Sequence, residues 1–294
     1  MMNGVLLLGN GLNNVTASYK WKNLISDLSN HLDVSFPENF KDIPFPLLYE
    51  EIYFKGLKEK RIEESQLRSF ISQKITNIAP GSGYENIKAL QFQNIITTNY
   101  DYNIERSLGF EDNKLKNNGF IKESRYSVFR CMTDGRINVW HIHGENHLPN
   151  TIILGYEHYS GQLQHLRNYA ITGSSNQYRK EVQPLNNRLK EGNDTIQSWL
   201  DLFLTKNVYI VGLSLDFVEI DIWWAITYRA RLKLEKRLPI ENSIYYYFPG
   251  KYEDSSKSKL EVLSANEIHT TKIGEYHDKN YYAQVFEDIK KHDG

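Results

Sequence analysis

Cysteine is almost absent from this sequence, and its scarcity excludes several kinds of protein. The 294 residues include one cysteine, Cys131, so neither an internal disulfide nor a cysteine-rich zinc site can form. Cys131 lies in a stretch where apolar and polar residues alternate. We therefore expect Cys131 to be a small buried hydrophobic residue and not a nucleophile.

Long apolar runs are absent from the start of the chain as well. The longest one there, Val5–Leu8, has four residues, with no basic region before it and no small-residue cleavage site after it. A secretory signal requires a longer apolar core, and a membrane span requires about 20 apolar residues. We therefore expect a cytoplasmic protein that does not use a membrane.

An excess of charge of either sign is also missing. Lys and Arg together number 35 and Asp and Glu 36, which gives a formal net charge of −1. A domain that mainly binds phosphate backbones is usually strongly basic, so nucleic acid is not expected as a direct ligand. The chain does contain 40% apolar residues, and its length suffices for one or two domains with a large core.

Short apolar segments alternate with helical patterns along the chain. Five segments predict strands, at 2–8, 94–97, 137–142, 207–211 and 244–248. Apolar residues with helical spacing occur at about 21–32, 47–57, 65–78, 218–236 and 279–291. This alternation is typical of βαβ units. It predicts an α/β fold class, a doubly wound Rossmann-like parallel sheet with helices on both faces.

The region at about 109–205 departs from this simple alternation. Residues 125–132 and 137–142 alternate like two strands around Asp134-Gly135, a turn signal of a β-hairpin. Helical patterns follow over 156–205, with a break at 173–176. We predict a single domain over 1–294 in which 109–205 is an inserted, mainly helical region, forming an additional layer or small subdomain.

Three loops and one histidine fall where the predicted strands end. Gly9-Asn10-Gly11 follows the first strand, Thr98-Asn99 the second and Gly212-Leu213-Ser214 the fourth, while His143 ends the third. In an open parallel sheet, ligands bind in the crevice beyond the carboxyl ends of the strands. The common position of these residues therefore predicts a ligand site.

The first of these loops has the composition of a phosphate-binding turn. Gly9 and Gly11 lack a Cβ atom, so backbone can approach a ligand closely. Their N–H groups, with the helix start that follows, favour an anion such as a pyrophosphate. Asn14 stands where the full dinucleotide fingerprint has its third glycine, so an ordinary tight turn is the alternative interpretation.

Asn99 and His143 are the candidates for chemistry. An asparagine can orient a sugar hydroxyl or a water, and a histidine can act as a general base near neutral pH. The alternatives are an Asx turn for Asn99 and a buried histidine bonded to backbone for His143. His141 points to the opposite face of the strand, so only one of the two histidines should face the crevice.

Polar residues after the fourth strand have two interpretations each. Ser214 follows a glycine and could offer its hydroxyl to a phosphate or cap a helix. Asp216 and Asp221 flank the start of the predicted helix at 218–236, where carboxylates suit the helix dipole. We favour structural roles for these two aspartates.

Four short motifs together resemble a known group of proteins. They are LGNGLN at 8–13, ITTNYD at 96–101, HIHG at 141–144 and VGLS at 211–214. Their order and separations resemble those of the sirtuin-like (silent information regulator) superfamily, whose members consume NAD. The resemblance spans about residues 3–221.

Two features distinguish the chain from protein-deacylating sirtuins. Those enzymes usually have Gln where this chain has Thr98, and they carry a four-cysteine zinc module that one cysteine cannot supply. The opening Gly-Asn-Gly also occurs in some related abortive-infection proteins. The resemblance is therefore to the zinc-lacking bacterial branch, whose members hydrolyse NAD during phage infection.

This resemblance implies a reaction and a set of residue roles. NAD would be the substrate, no metal would be needed, and nicotinamide would leave through a cation-like transition state to give ADP-ribose. Asn99 would position the attacking water or the ribose hydroxyls, His143 would accept a proton, and Asp101 would hold the nicotinamide amide. The other implied NAD-binding positions are Gly9, Asn10, Gly11, Asn13, Thr98, Gly212 and Ser214.

Two other functions and two forms of control stay open at this point. The chain could be a non-catalytic NAD or ADP-ribose sensor in a larger defence complex, or an NAD-dependent protein deacylase. Unregulated loss of NAD would harm the host cell. We therefore expect a homo-oligomer, a partner protein such as an ATPase, or both, to trigger activity.

Overall fold

The computed structural model describes residues 2–16, 21–35, 43–60, 62–80, 82–111, 113, 115–122, 125–173 and 181–293. Within these ranges the chain forms one seven-stranded sheet with helices around it. The strands are β1 (Val5–Leu8), β2 (Asn94–Thr97), β3 (Cys131–Thr133), β4 (Asn138–His141), β5 (Val208–Val211), β6 (Ile244–Phe248) and β7 (Ile268–Lys272).

The helices separate most of these strands along the chain. They are α1 (Gly11–Thr16), α2 (Trp21–Leu32), α3 (Phe45–Lys60), α4 (Glu64–Thr76), α5 (Glu85–Ala89), α6 (Asn103–Leu108), α7 (Tyr156–Arg167), α8 (Leu185–Lys190), α9 (Trp199–Thr205), α10 (Ile220–Leu234), α11 (Lys257–Ala265) and α12 (Lys279–Asp293). The predicted α/β class is confirmed.

The strand order creates a crevice at the centre of the sheet. The order is β3-β4-β2-β1-β5-β6-β7, and all neighbours are parallel except β3 and β4. β2, β4 and β3 lie in this order on one side of β1, and β5, β6 and β7 lie on its other side. The strand order therefore reverses between β1 and β5, which is where open α/β sheets bind ligands.

Burial on both faces explains why the central strands are continuous apolar runs. All four residues of β1 and all four of β5 are buried. Val5 and Leu7 pack into a core with side chains of α7, α9 and α10, whereas Leu6 and Leu8 pack into a second core with α5, α6 and α12. A sheet covered by helices on both sides favours such strands, so the doubly wound arrangement is confirmed.

A third apolar cluster forms a layer of helices that precedes β2 in the chain and is distinct from the region 109–205. Buried side chains of α2, α3 and α4 pack together and against Tyr100 and Leu154. Arg68 of α4 ties this layer to the main body, because its guanidinium donates to the backbone oxygens of Asn150 (2.6 Å) and Ile152 (3.2 Å). The layer therefore stands beside the carboxyl end of β2.

The described part of the region 109–205 carries the hairpin and the α-helices α7, α8 and α9. Side chains of α7, α8 and α9 join the core that covers the sheet. The expected break at 173–176 lies mostly outside the described residues, which include only Gly173 of it. The assignment of one domain over 1–294 stays a prediction.

Two strand predictions were wrong in extent, and one strand was missed. The strand predicted at 125–132 is limited to Cys131–Thr133, and the one predicted at 2–8 begins at Val5. β7 was missed because its sequence, IHTTK, is mostly polar and only Ile268 in it is buried. A polar edge strand lacks the apolar pattern on which the prediction relied.

Cys131 is buried, as expected. Burial, with a smaller effect of the Glu105 carboxylate, raises the pKa of its thiol to about 12. A thiol with so high a pKa carries almost no thiolate at neutral pH, so Cys131 behaves as a structural residue.

Candidate active site

A cavity of about 840 Å³ opens where the strand order reverses. Its volume lies within the range typical of small-molecule sites. The loops after β1, β2 and β5 form its floor, and residues of α2–α4 form part of its wall. The predicted site residues that line it are Asn10, Gly11, Thr98, Asn99, Asp101, His143, Gly212 and Ser214.

Gly9 and Asn13 are predicted site residues that do not line the cavity. Asn13 is fully buried beneath it, where its Nδ2 donates to Asp101 Oδ2 (2.8 Å) and its Oδ1 accepts from the Tyr84 hydroxyl (2.6 Å). Asn13 therefore positions the Asp101 carboxylate. Its sequence position did not indicate this, because the partners come from distant segments.

The two glycines of the first loop serve packing between loops. A Cβ atom on Gly9 would lie 2.5 Å from the carbonyl oxygen of Gly212, and one on Gly11 would lie 2.5 Å from the Tyr282 hydroxyl. The N–H of Gly9 donates to Val211 O (3.0 Å), and that of Gly11 to Gly212 O (2.7 Å). Both N–H groups therefore already have backbone partners. They are not free to bind a pyrophosphate, contrary to what the sequence had led us to expect.

Asn99 presents an acceptor without a partner. Its side chain is 5% exposed, and its Nδ2 donates weakly to Gly9 O at 3.4 Å. Its Oδ1 is buried and has no hydrogen-bond partner among the described residues. A buried polar atom without a partner costs free energy, so Oδ1 is suited to a donor from a ligand or water.

The two histidines of the HIHG motif have separate roles, as expected. His141 is fully buried away from the cavity, with Nδ1 bonded to Asn99 O (2.9 Å) and Nε2 to Glu105 Oε1 (2.7 Å). His143 lines the cavity. His141 thus holds the backbone of Asn99 in place, and His143 is the histidine that a ligand can reach.

An aspartate on α10 orients His143. The ring Nε2–H donates to Asp221 Oδ2 at 2.9 Å, and the Tyr159 ring stands edge-on to the imidazole. His143 Nδ1 makes no hydrogen bond to the described part of the chain, so it remains available to a ligand. Burial opposes the charged imidazolium, but the charge and hydrogen bond of Asp221, with a smaller contribution from Glu219, together outweigh burial and raise the pKa of His143 above its usual value.

Glu219 adds a second carboxyl group to this end of the cavity. It immediately precedes α10, lines the cavity, and accepts the N–H of Asp216 (3.1 Å) through Oε2. Burial raises the pKa of Glu219 to about 8, against the opposing effect of His143 and with the support of Asp216 and Asp221. Glu219 therefore keeps its proton to a higher pH than an exposed glutamate does.

Sequence reasoning missed both carboxyl groups as site residues. Asp221 was assigned to the helix dipole, and Glu219 was not considered. The interaction of Asp221 with His143 spans 78 positions, so no local spacing could reveal it. The available signal was that both residues follow the same strand end as Ser214.

Residues 8–236 match the model of the bacteriophage abortive infection AbiH family. The chain belongs to the AbiH family. This membership identifies the chain as an abortive-infection protein. That is the anti-phage role that the family resemblance implied. None of the curated proteins compared with the chain matches it.

The AbiH region contains the loops and the side chains around His143, but not the whole cavity. Residues beyond 236 line the remaining wall, among them Tyr246, Phe248, Lys251, Lys259 and Tyr281. In the described part of the chain, no helix is both long and apolar enough to cross a membrane.

Replacing Asp221 tests its control over His143. In Asp221→Asn we expect the pKa of His143 to fall, because burial then opposes the imidazolium with little compensation. An NMR titration of the histidine ring protons measures this shift. Asp288→Asn is the control, since Asp288 pairs with His292 on α12. An unchanged pKa of His143 in Asp221→Asn would show that the carboxylate does not control the ring.

Replacing Glu219 tests its raised pKa through stability. A carboxyl group whose pKa rises on folding binds more protons in the folded state, so the free energy of unfolding falls as pH rises from 5 to about 8. Glu219→Gln removes this titration and should reduce the fall. Some fall should remain, because His141 and His143 also have raised pKa values.

Denaturant unfolding at several pH values between 5 and 8 measures this effect. Glu261→Gln, which changes an exposed glutamate on α11, serves as the control and should keep the pH dependence of the unchanged protein. If Glu219→Gln gave the same pH dependence as the unchanged protein, Glu219 would not titrate in this range.

Proposed function

We propose that this AbiH-family protein is a sirtuin-like NAD glycohydrolase that cleaves the bond between nicotinamide and ribose. The observation that carries the proposal is one cavity, at the reversal of strand order, that holds both Asn99 and His143. Among the described residues, Asn99 Oδ1 is a buried acceptor without a hydrogen-bond partner, and His143 Nδ1 is a ring nitrogen without one. Dinucleotides bind at this position in open α/β sheets.

The charges near His143 suit the departure of nicotinamide. The ribose carbon develops positive charge as the bond breaks, and water then attacks it. Asp221 places a carboxylate beside His143, Asp101 places another in the cavity lining, and fixed negative groups stabilise a developing cation. Water supplies the hydroxyl group of ADP-ribose and releases one proton.

His143 is suited to accept that proton. Asp221 holds one ring nitrogen, which leaves Nδ1 to bond the ribose or the water. The neutral ring that acts as a base becomes more abundant as pH rises, and the raised pKa of His143 moves this increase to higher pH. Asn99 Oδ1 would orient the same water or the ribose hydroxyls.

The Asp101 carboxylate is suited to accept a hydrogen bond from the nicotinamide amide. This carboxylate lines the cavity and is held by Asn13 and by the N–H of Asn103 (3.0 Å to Oδ1). Each carboxylate oxygen can accept a further hydrogen bond, such as one from an amide NH₂. Membership of the AbiH family supports a role in phage defence, for which loss of NAD in the cytoplasm is a direct means.

Removing either proposed catalytic side chain should abolish turnover. We expect Asn99→Ala and His143→Ala each to lower nicotinamide release by about 100-fold or more, the usual scale for a lost acid–base group. The protein is incubated with NAD, and nicotinamide and ADP-ribose are separated by chromatography. Asn86→Ala and His147→Ala, at exposed positions outside the cavity, are the matched controls.

The same experiment separates the alternatives. Full turnover by both variants, with folding verified by circular dichroism, would refute the assignment. Tight binding of ADP-ribose without nicotinamide release under any condition would favour a sensor. Removal of an acetyl group from a lysine peptide would favour a deacylase.

We further propose that self-assembly, alone or with a partner such as an ATPase, controls the reaction. The reason is chemical, since an unregulated NAD hydrolase depletes its own host. Specific activity should therefore rise with protein concentration as oligomers form, measured by light scattering beside the activity assay. A monomer that hydrolyses NAD at full rate would contradict control by self-assembly.

A further inference from the structure

Two lysines on the cavity wall have no carboxylate partner. Lys259 of α11 and Lys251, on the loop after β6, both line the cavity. Neither forms an ion pair with the described part of the chain. By contrast, several other lysines pair with carboxylates, as in Lys74 with Asp27 (3.3 Å).

Lys259 is held in place without being neutralised. Its half-buried Nζ donates to the backbone oxygen of Ser214 at 2.6 Å. An ammonium group has three donors, so two remain for a ligand. Burial lowers the pKa of Lys259. The charges of Asp216 and Glu219 act in the opposite direction, but neither residue forms an ion pair with it.

Lys251 lies on the same wall and remains exposed. Its Nζ stands 4.7 Å from the centre of the Tyr252 ring, and its backbone N–H donates to Glu275 O (2.9 Å). The ring contact restrains the side chain without removing its charge. The wall formed by the C-terminal part of the chain thus carries two cations.

The rest of the cavity disfavours an anion. The N–H groups of Gly9 and Gly11 are bonded to backbone oxygens. Asp101, Asp216 and Asp278 add negative charge to the lining, and Asp278 belongs to the same C-terminal part of the chain as the lysines. A diphosphate inside this cavity is therefore attracted to Lys259 and Lys251 and repelled by these carboxylates.

We propose that Lys259, assisted by Lys251, binds the diphosphate of a nucleotide ligand. The identification of that nucleotide as NAD or ADP-ribose rests on the proposed function. Both lysines lie beyond residue 236, where the match to the AbiH family ends. The C-terminal part of the chain therefore contributes the anion subsite, and the AbiH region contributes the reacting groups.

Calorimetry with ADP-ribose as the probe tests this subsite. Lys259→Met should weaken binding about 10-fold or more, the scale of a lost hydrogen bond to a charged group. Lys259→Arg should retain most of the affinity because it keeps the charge. Lys257→Met is the matched control, since Lys257 is exposed on the same helix and does not line the cavity.

The dependence of binding on salt provides a second measurement. Affinity of the unchanged protein should fall as salt concentration rises, and it should fall less steeply in Lys259→Met. Equal affinities for ADP-ribose in Lys259→Met and the unchanged protein would overturn the proposal. No binding of ADP-ribose to the unchanged protein would overturn it as well.

Nicotinamide release measured in parallel separates this proposal from the proposed function. A protein that binds ADP-ribose through Lys259 yet releases no nicotinamide would refute hydrolysis and support the anion subsite. Conversely, a Lys259→Met protein that cleaves NAD with an unchanged KM would refute the subsite and leave hydrolysis standing.

Discussion

Parallel pairing of β1 with β2 on one side and with β5 on the other is the constraint on which the site depends. Leu8 pairs with Thr97 and with Val211, so the three strands end at the same level. The loops that follow must therefore open toward the same crevice. Tight contact between the loops after β1 and β5, which only glycines permit, then leaves the cavity beside them.

Charged side chains of both signs line this cavity. Carboxyl groups and His143 gather at the start of α10, while two lysines without carboxylate partners line the wall beyond residue 236. Under the proposed function, the first group would face the ribose of a nucleotide and the two lysines would face its diphosphate. Membership of the AbiH family associates the protein that carries this cavity with abortive infection.

Much of the fold was predictable because apolar periodicity reports burial. The central strands are apolar on both faces, and α2 and α10 were placed close to their observed bounds. β7 was not predictable, since an exposed edge strand has no such pattern. Asn99 and His143 were predicted because they follow strands, whereas Asp221 and Lys259 belong to no motif and approach the cavity only through packing.

By itself the sequence determined the fold class, the strand-end loops and the choice of Asn99 and His143, because each of these depends on local pattern. Tertiary structure alone decided which groups surround them. It brought Asp221 to His143 across 78 positions, engaged the glycine N–H groups in loop packing, and set Lys259 against Ser214. The protonation of His143 and the charge of the cavity depend on such neighbours. Burial and electrostatic interactions are set by distance in space and not by separation along the chain.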